Sequence, residues 1–368
     1  MGQNDQEQGQ DPRNEVFQGL AAILYACCGP VDGGYKLQSK TLASMANANG
    51  GLLGKRVLDL GCGYGTTSLA IAEHLPAEIV ADDVSAQHLE LLEKTLLSKA
   101  ELGEYLESKG ALTFMRVSML DALIQHLEQM RDEFDDGVFS RSGGTLQTLK
   151  CSALDLTLEQ VPGHKPFDAV LGCNSFHWPV NQRRALYEEK GSMPSTAALN
   201  QAMDDTLERL EGVLKPNGIL ALLEPTDFVS YDTDPKLDQA LQDASMVNLR
   251  VFTAFHMEIN QLLAEQYGIT GRKVPTAPLI FRVSRLEAVF RRNGFQLDRV
   301  VPVTPMLYAN PLDMMFARLP MLLGQVPISF DQKMEVAKTV RSLFAGTGYD
   351  RLSVMNMPFF VLLAHKLD

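Results

Sequence analysis

The chain has 368 residues, 45% of them hydrophobic, which is enough for one large domain with a sizeable core. Its formal charge of −12, from 33 basic and 45 acidic residues, disfavours a nucleic-acid substrate, because phosphate binding needs clustered basic charge. No stretch is apolar for the roughly 20 residues a membrane span needs, and the five cysteines (Cys27, Cys28, Cys62, Cys151, Cys173) lack a C-x-x-C spacing, as free thiols in a reducing cytoplasm would.

Residues 1–14 are polar, lack the apolar core of a secretory signal and read as disordered. Helical spacing around Val16, Leu20, Ile23 and Leu24, then a glycine-rich loop ending at Tyr35, reads as an N-terminal helical cap. Lys55–Leu60 is the first expected strand and Thr66–Leu75 the helix after it. Glu78–Val84 is a second strand that ends in two acids, and Ser85 can cap the helix that runs to Leu97. Residues 100–150 carry weaker signals: a strand at Leu112–Val117, a helix over Leu120–Phe134, a polar loop, then a strand at Leu146–Ala153. Phe167–Cys173 is a buried strand. A long amphipathic helix at Ala197–Leu214 stops at Lys215-Pro216-Asn217-Gly218, before a strand at Ile219–Glu224. Ser284–Asn293 reads as a helix, and Gln296–Thr304 and Met355–Lys366 as strands. This alternation predicts an α/β fold with a doubly wound, mostly parallel sheet of seven strands.

The sharpest signal is Val57-Leu58-Asp59-Leu60-Gly61-Cys62-Gly63-Tyr64-Gly65, which sets an acid and three alternating glycines between a strand and a helix. Glycines let the backbone pass close to a ligand, and the free amides of the helix start face the same place. A dinucleotide fingerprint is G-x-G-x-x-G; here the third glycine comes one residue early, with Thr66 in its place.

Asp-x-Gly-x-Gly-x-Gly after a Val-Leu-x-Leu strand resembles motif I of class I S-adenosylmethionine (SAM)-dependent methyltransferases. The order of signals is similar to that family over residues 52–225 and again from about 283 to 368. The resemblance implies a Rossmann-like core, SAM as cofactor, and a donor site that includes Asp59, Gly61, Cys62, Gly63 and Gly65. Ala81-Asp82-Asp83-Val84-Ser85 matches the family's Gly-x-Asp-x-Ser, which makes Asp83 the ribose ligand, beside Val84. A carboxylate suits two vicinal hydroxyls because it offers two acceptor oxygens. The adenine amine falls to Ser152-Ala153, a departure from the family's usual acid, with Asp121 and Asp155 as competitors. Asn174, in Asn174-Ser175-Phe176-His177-Trp178, follows the strand that faces the donor. Leu214-Lys215-Pro216-Asn217-Gly218 is similar to the family's Leu-Lys-Pro-Gly-Gly turn, with Asn217 tolerating a positive φ.

For catalysis, an oxygen or protonated nitrogen acceptor needs a base. His177 is the first candidate because it follows the fourth strand at the active edge and imidazole is suited to proton transfer, and Glu224 is the second. Trp178 can stack on a ligand or cover the site. Tyr25 or Tyr35 can close over the donor from the N-terminal segment. No H-x-x-x-H or paired-acid pattern points to a metal.

A class I core takes roughly 200 to 250 residues. The expected division is a tail and cap over 1–50, a core over 51–225, 283–304 and 353–368, and helical lid insertions over 226–282 and 305–352. The second insertion is rich in methionine around 314–321, more in keeping with core than with a cofactor box. The function expected is methyl transfer to a small organic acceptor, by analogy in specialised metabolism, in the cytoplasm. Partners are the acceptor and, as an open option, a second copy (homodimer), with no nucleic acid and no membrane. The alternatives are a protein or RNA methyltransferase and a non-catalytic SAM-binding regulator.

Overall fold

The computed structural model describes residues 34–75, 77–94, 104–105, 107–108, 125, 128, 134–135, 138–139, 141–189, 195–225, 229–230, 232–270, 281–308, 323, 326–344 and 355–368. Tyr25, Cys27, Cys28, Asp121, the strand expected at Leu112–Val117, most of the helix expected at Leu120–Phe134 and the methionine-rich segment lie outside the described residues.

In chain order the elements are α1 (Gly34–Gly50), β1 (Arg56–Leu60), α2 (Thr66–His74), β2 (Glu78–Asp83) and α3 (Ala86–Lys94). Two short strands, β3 (Phe134–Asp135) and β4 (Val138–Phe139), precede β5 (Thr145–Lys150) and β6 (Phe167–Cys173). Next come α4 (His177–Glu189), α5 (Ser195–Val213), β7 (Leu214–Pro225), β8 (Val229–Ser230), α6 (Pro235–Tyr267), β9 (Phe281–Arg282), α7 (Val283–Arg292), β10 (Phe295–Tyr308), α8 (Phe330–Phe344) and β11 (Met355–Lys366).

One sheet runs in the order β10-β11-β7-β6-β1-β2-β5-β4-β3. The five strands from β7 to β5 are mutually parallel, and β11 is antiparallel to both neighbours. The seven expected strands are therefore present, and the sheet reaches nine by adding the two-residue strands β3 and β4 at one edge. Such short strands escape a periodicity reading, which needs several alternations. β5 pairs with β2, in the register Ile79↔Leu146 and Asp83↔Lys150.

The sheet is doubly wound because its strands are apolar on both faces. In β7, Ile219, Ala221 and Leu223 join one buried cluster, while Leu220 and Leu222 join the other. α1, α2, α3, α6 and α8 contribute to the first cluster, and α4, α5 and α7 to the second. Continuous burial on two faces is what parallel strands with helical crossovers require. Phe255, Ile259 and Leu263 of α6 and Val336, Val340 and Phe344 of α8 belong to the first cluster. These parts of the two expected lid segments thus flank the sheet, and the lid expectation falls to residues outside the described ones. α6 starts at Asp234, whose carboxylate accepts from the amides of Lys236 (3.1 Å) and Leu237 (3.2 Å), and ends at Gly268 with φ 67°.

The turn at 215–218 is a bulge inside β7: Phe167 pairs with Leu214, but Ala169 pairs with Ile219. Asn217 sits there at φ 59°, the left-handed conformation expected of it. β6 and β1 are adjacent at the centre, with the chain winding outward from them in opposite directions, so a crevice opens at their carboxyl ends.

Candidate functional site

A cavity fills that crevice. It is walled by Leu60–Tyr64 after β1, by Asp82–Val84 at the end of β2, by Cys151–Ala153 after β5, and by Cys173–Ser175 after β6 with Trp178 and Gln182 of α4. Gly61, Gly63 and Gly65 have φ of 61°, 55° and 93°, so the alternation is first a backbone requirement. A Cβ on Gly61 would also lie 2.7 Å from the Ser175 Cβ, which fixes the close approach of this loop to the one after β6.

Three acids hold the loop. Asp83 accepts from the amides of Gly63 (2.8 Å) and Ser85 (2.7 Å), tying the glycine turn to the end of β2. Asp59 is buried beneath the loop, where it accepts from the Ser68 hydroxyl at 2.6 Å and so clamps α2 to β1. Burial pushes its pKa up to about 7, against the lowering hydrogen bonds of Ser68. Asp82 is 1% exposed, and burial, then the charges of Asp83 and Asp59, raise its pKa well above the ordinary carboxylate range.

Behind the cavity, His177 Nδ1 lies 2.5 Å from Glu224 Oε2, and the other Glu224 oxygen accepts from the Phe176 amide at 2.9 Å. The pair joins the first residue of α4 to the end of β7, and both side chains are buried. The His177 ring centroid is 5.1 Å from that of Trp178, which does line the cavity. Asn174, at φ 55°, donates from its side chain to Gln38 of α1, which brings the helical cap to the site.

Of the expected donor-site residues, Gly61, Cys62, Gly63, Asp83, Val84, Ser152, Ala153 and Asn174 line this cavity. Asp59 and Gly65 are outside its lining and shape the loop from behind. Tyr35 is in the first turn of α1, and its side chain is outside the described ones. Asp155 is exposed and outside the lining, whereas Ser152 is inside it. His177 and Glu224 stand beside the cavity rather than in its lining. Burial pushes Cys151 and Cys173 up to about 12 and raises Cys62 well above its ordinary value, so all three remain thiols at neutral pH. Among the described residues, no group of three metal-ligating side chains occurs, and no helix is long and apolar enough to cross a membrane. Asp82, Ser175 and Gln182 are lining residues that the sequence did not single out as ligands. The only signal for Asp82 is its place one residue before Asp83.

Residues 27–124 match the methyltransferase small domain family, over the segment that holds the cap, the glycine loop and the end of β2. Over this segment the chain resembles a methyltransferase domain. No curated protein matches it by sequence. Among solved structures, the cyclopropane synthase MmaA2 of Mycobacterium tuberculosis is 15% identical over 92% of this chain and 98% of its own, with a TM-score of 0.43. A SAM-dependent methyltransferase of Methanosarcina mazei is 13% identical over 85% and 92%, at 0.38. The magnesium protoporphyrin IX methyltransferase of Synechocystis, with SAM bound, is 10% identical over 90% and 80%, at 0.38.

SAM, the cofactor of class I methyltransferases, fits this lining. Asp82 Oδ1, Asn174 Oδ1 and Ser175 Oγ are buried in the cavity wall without a hydrogen-bond partner among the described residues. Buried polar atoms of this kind call for a polar ligand. No lysine or arginine occurs among the described lining residues, so a dinucleotide's pyrophosphate would find no countercharge there, whereas a cation meets two acids.

Proposed function

We propose that this methyltransferase acts on a small organic acceptor, with His177 as general base and Glu224 as the group that orients it. The observation that carries the reading is the 2.5 Å contact between His177 Nδ1 and Glu224 Oε2 in a buried setting beside the cavity. The contact through Nδ1 fixes how the imidazole is presented beside the cavity, and imidazole is the side chain suited to taking an acceptor proton. Glu224 is itself fixed by the Phe176 amide, so the imidazole has one preferred orientation. SAM supplies a methyl group already activated on a sulfonium. The protein then has to hold the acceptor in line, at about 3 Å from that methyl group, and exclude water. Trp178 and the buried lining serve the second task. The acidic chain and the absence of basic residues in the described lining favour a small acceptor over a polyanion.

Labelled SAM, incubated with the protein and with separate small-molecule, protein and RNA fractions, tests this. Label in the small-molecule fraction is the expected result. Label confined to protein or RNA overturns the acceptor class, and SAM binding with no transfer to any fraction favours a regulator. Replacing His177 with Ala should then lower kcat about 100-fold with donor affinity unchanged. Unaltered turnover removes His177 as the base.

A further inference from the structure

Where the family pattern has Gly-x-Asp-x-Ser, this chain puts a second acid, Asp82, in the place just before the expected ribose ligand Asp83. Asp82 lines the cavity, is 1% exposed, and leaves Oδ1 without a hydrogen-bond partner among the described residues. The charges around it are mostly of its own sign. Asp83 is its neighbour on β2, the charge of Asp59 reaches it from β1, one register step from the Leu60 that pairs with it, and the neutral thiols of Cys62 and Cys151 flank it from the loops after β1 and β5. His88 of α3 reaches Asp83 Oδ1 at 3.7 Å, and Lys150, opposite Asp83 in register on β5, is exposed. The amides of Gly61 and Cys151 face the Asp82 carboxyl and oppose its protonation.

The donor and its spent product differ in one respect that such a site can read. SAM carries a fixed positive charge on sulfur, and S-adenosylhomocysteine, having lost the methyl group, has a neutral thioether. Hydrogen-bonding groups are the same in both. We infer that Asp82 is a specificity-determining residue that sets the preference for the sulfonium donor over the thioether product. Its carboxyl is held in the wall with no lysine or arginine beside it among the described lining residues, so the cofactor's own charge is the partner that favours the ionised form. Donor binding then expels a proton from the Asp82 group, and product binding does so less. Inside a protein two unit charges within about 10 Å shift a binding constant on the order of tenfold. The discrimination is therefore expected to rise about tenfold as the acids ionise with increasing pH. The inference rests on the cofactor and is independent of the acceptor and of His177.

Calorimetric titration with SAM and with S-adenosylhomocysteine, in two buffers of different ionisation enthalpy and at pH 6.5 and 8, reads both quantities. More protons released by SAM than by the product, and a SAM-to-product affinity ratio that climbs with pH, are the expected results for the unaltered protein. Asp82→Asn should remove the pH dependence and lower the ratio about tenfold at pH 8. Asp298→Asn, the same charge change at the far end of the sheet, should leave the ratio where it was. Equal proton release by the two ligands overturns the inference without any variant, so a failure of Asp82→Asn to fold does not shelter it. A ratio untouched in a folded Asp82→Asn overturns it too.

Discussion

At the carboxyl end of the sheet, Asp59, Asp82 and Asp83 are buried, and no lysine or arginine occurs among the described residues lining the cavity. At the amino end, Asp168 meets Lys215 Nζ at 2.8 Å and the Arg56 amide at 2.9 Å, and Asp298 meets His365 Nδ1 at 2.8 Å. Burial pushes Asp59 up to about 7. At Asp168 burial also raises the pKa, but Lys215 and the Arg56 amide outweigh it and the pKa is lowered. The two ends of the same strands thus keep carboxyls under opposite regimes. The amino end satisfies its acids within the protein, whereas at the carboxyl end Asp59 and Asp82 each keep one oxygen without a hydrogen-bond partner among the described residues. An unsatisfied group costs folding stability and is retained where binding can use it.

The largest effect should come from making the buried end less costly. Asp59 binds a proton in the folded state that it gives up at much lower pH when unfolded. Stability from this group is complete below about pH 4 and is lost as pH rises through about 7. Asp59→Asn, which still accepts from Ser68, should flatten the fall in stability between those values by a few kcal/mol. Denaturant melts of the apo protein across the range read this directly, and parallel curves for the two proteins break the comparison. Next in size is Asp83→Ala, which frees the Gly63 and Ser85 amides. SAM affinity should fall about 100-fold in a calorimetric titration, in line with the loss of charge-assisted hydrogen bonds, and an unchanged affinity defeats the register of the donor site. Gly61→Ala forces a Cβ to 2.7 Å from that of Ser175 at a positive φ. About 2 kcal/mol of stability should go with it, visible as a lower Tm. The smallest effect belongs to the paired end. Lys215→Met should cost under about 1 kcal/mol, because the lysine side chain is 42% exposed. A larger loss would erase the contrast between the two ends.

The parts legible in sequence are those fixed by local physics. The glycine run shows because three positive φ values in five residues admit little else, and Asn217 shows because a bulge needs a left-handed residue. β6 and β11 match their expected bounds residue for residue because long apolar runs are hard to misread. The stretch before β5 blurs because β3 and β4 have two residues each. The pairing of His177 with Glu224 spans 47 residues and needs β6 and β7 side by side. Both residues end or follow neighbouring parallel strands, so strand order supplies the contact that spacing alone lacks. Asp82 looks like the polar end of a strand until β1 and β5 are placed on either side of it.

The placement of β11 bears on how the protein comes to be made. This last strand lies inside the sheet, between β7 and β10, and its residues 359–365 pair with 219–225 on one side while Phe295–Val303 pair on the other. During synthesis β7 therefore waits for a partner more than a hundred residues downstream, with its edge amides open to any passing strand. The glycine loop and the acids emerge early, but the sheet that supports them closes only once residue 366 has left the ribosome. A nascent chain stalled before that point should hold the motif of a methyltransferase without its fold.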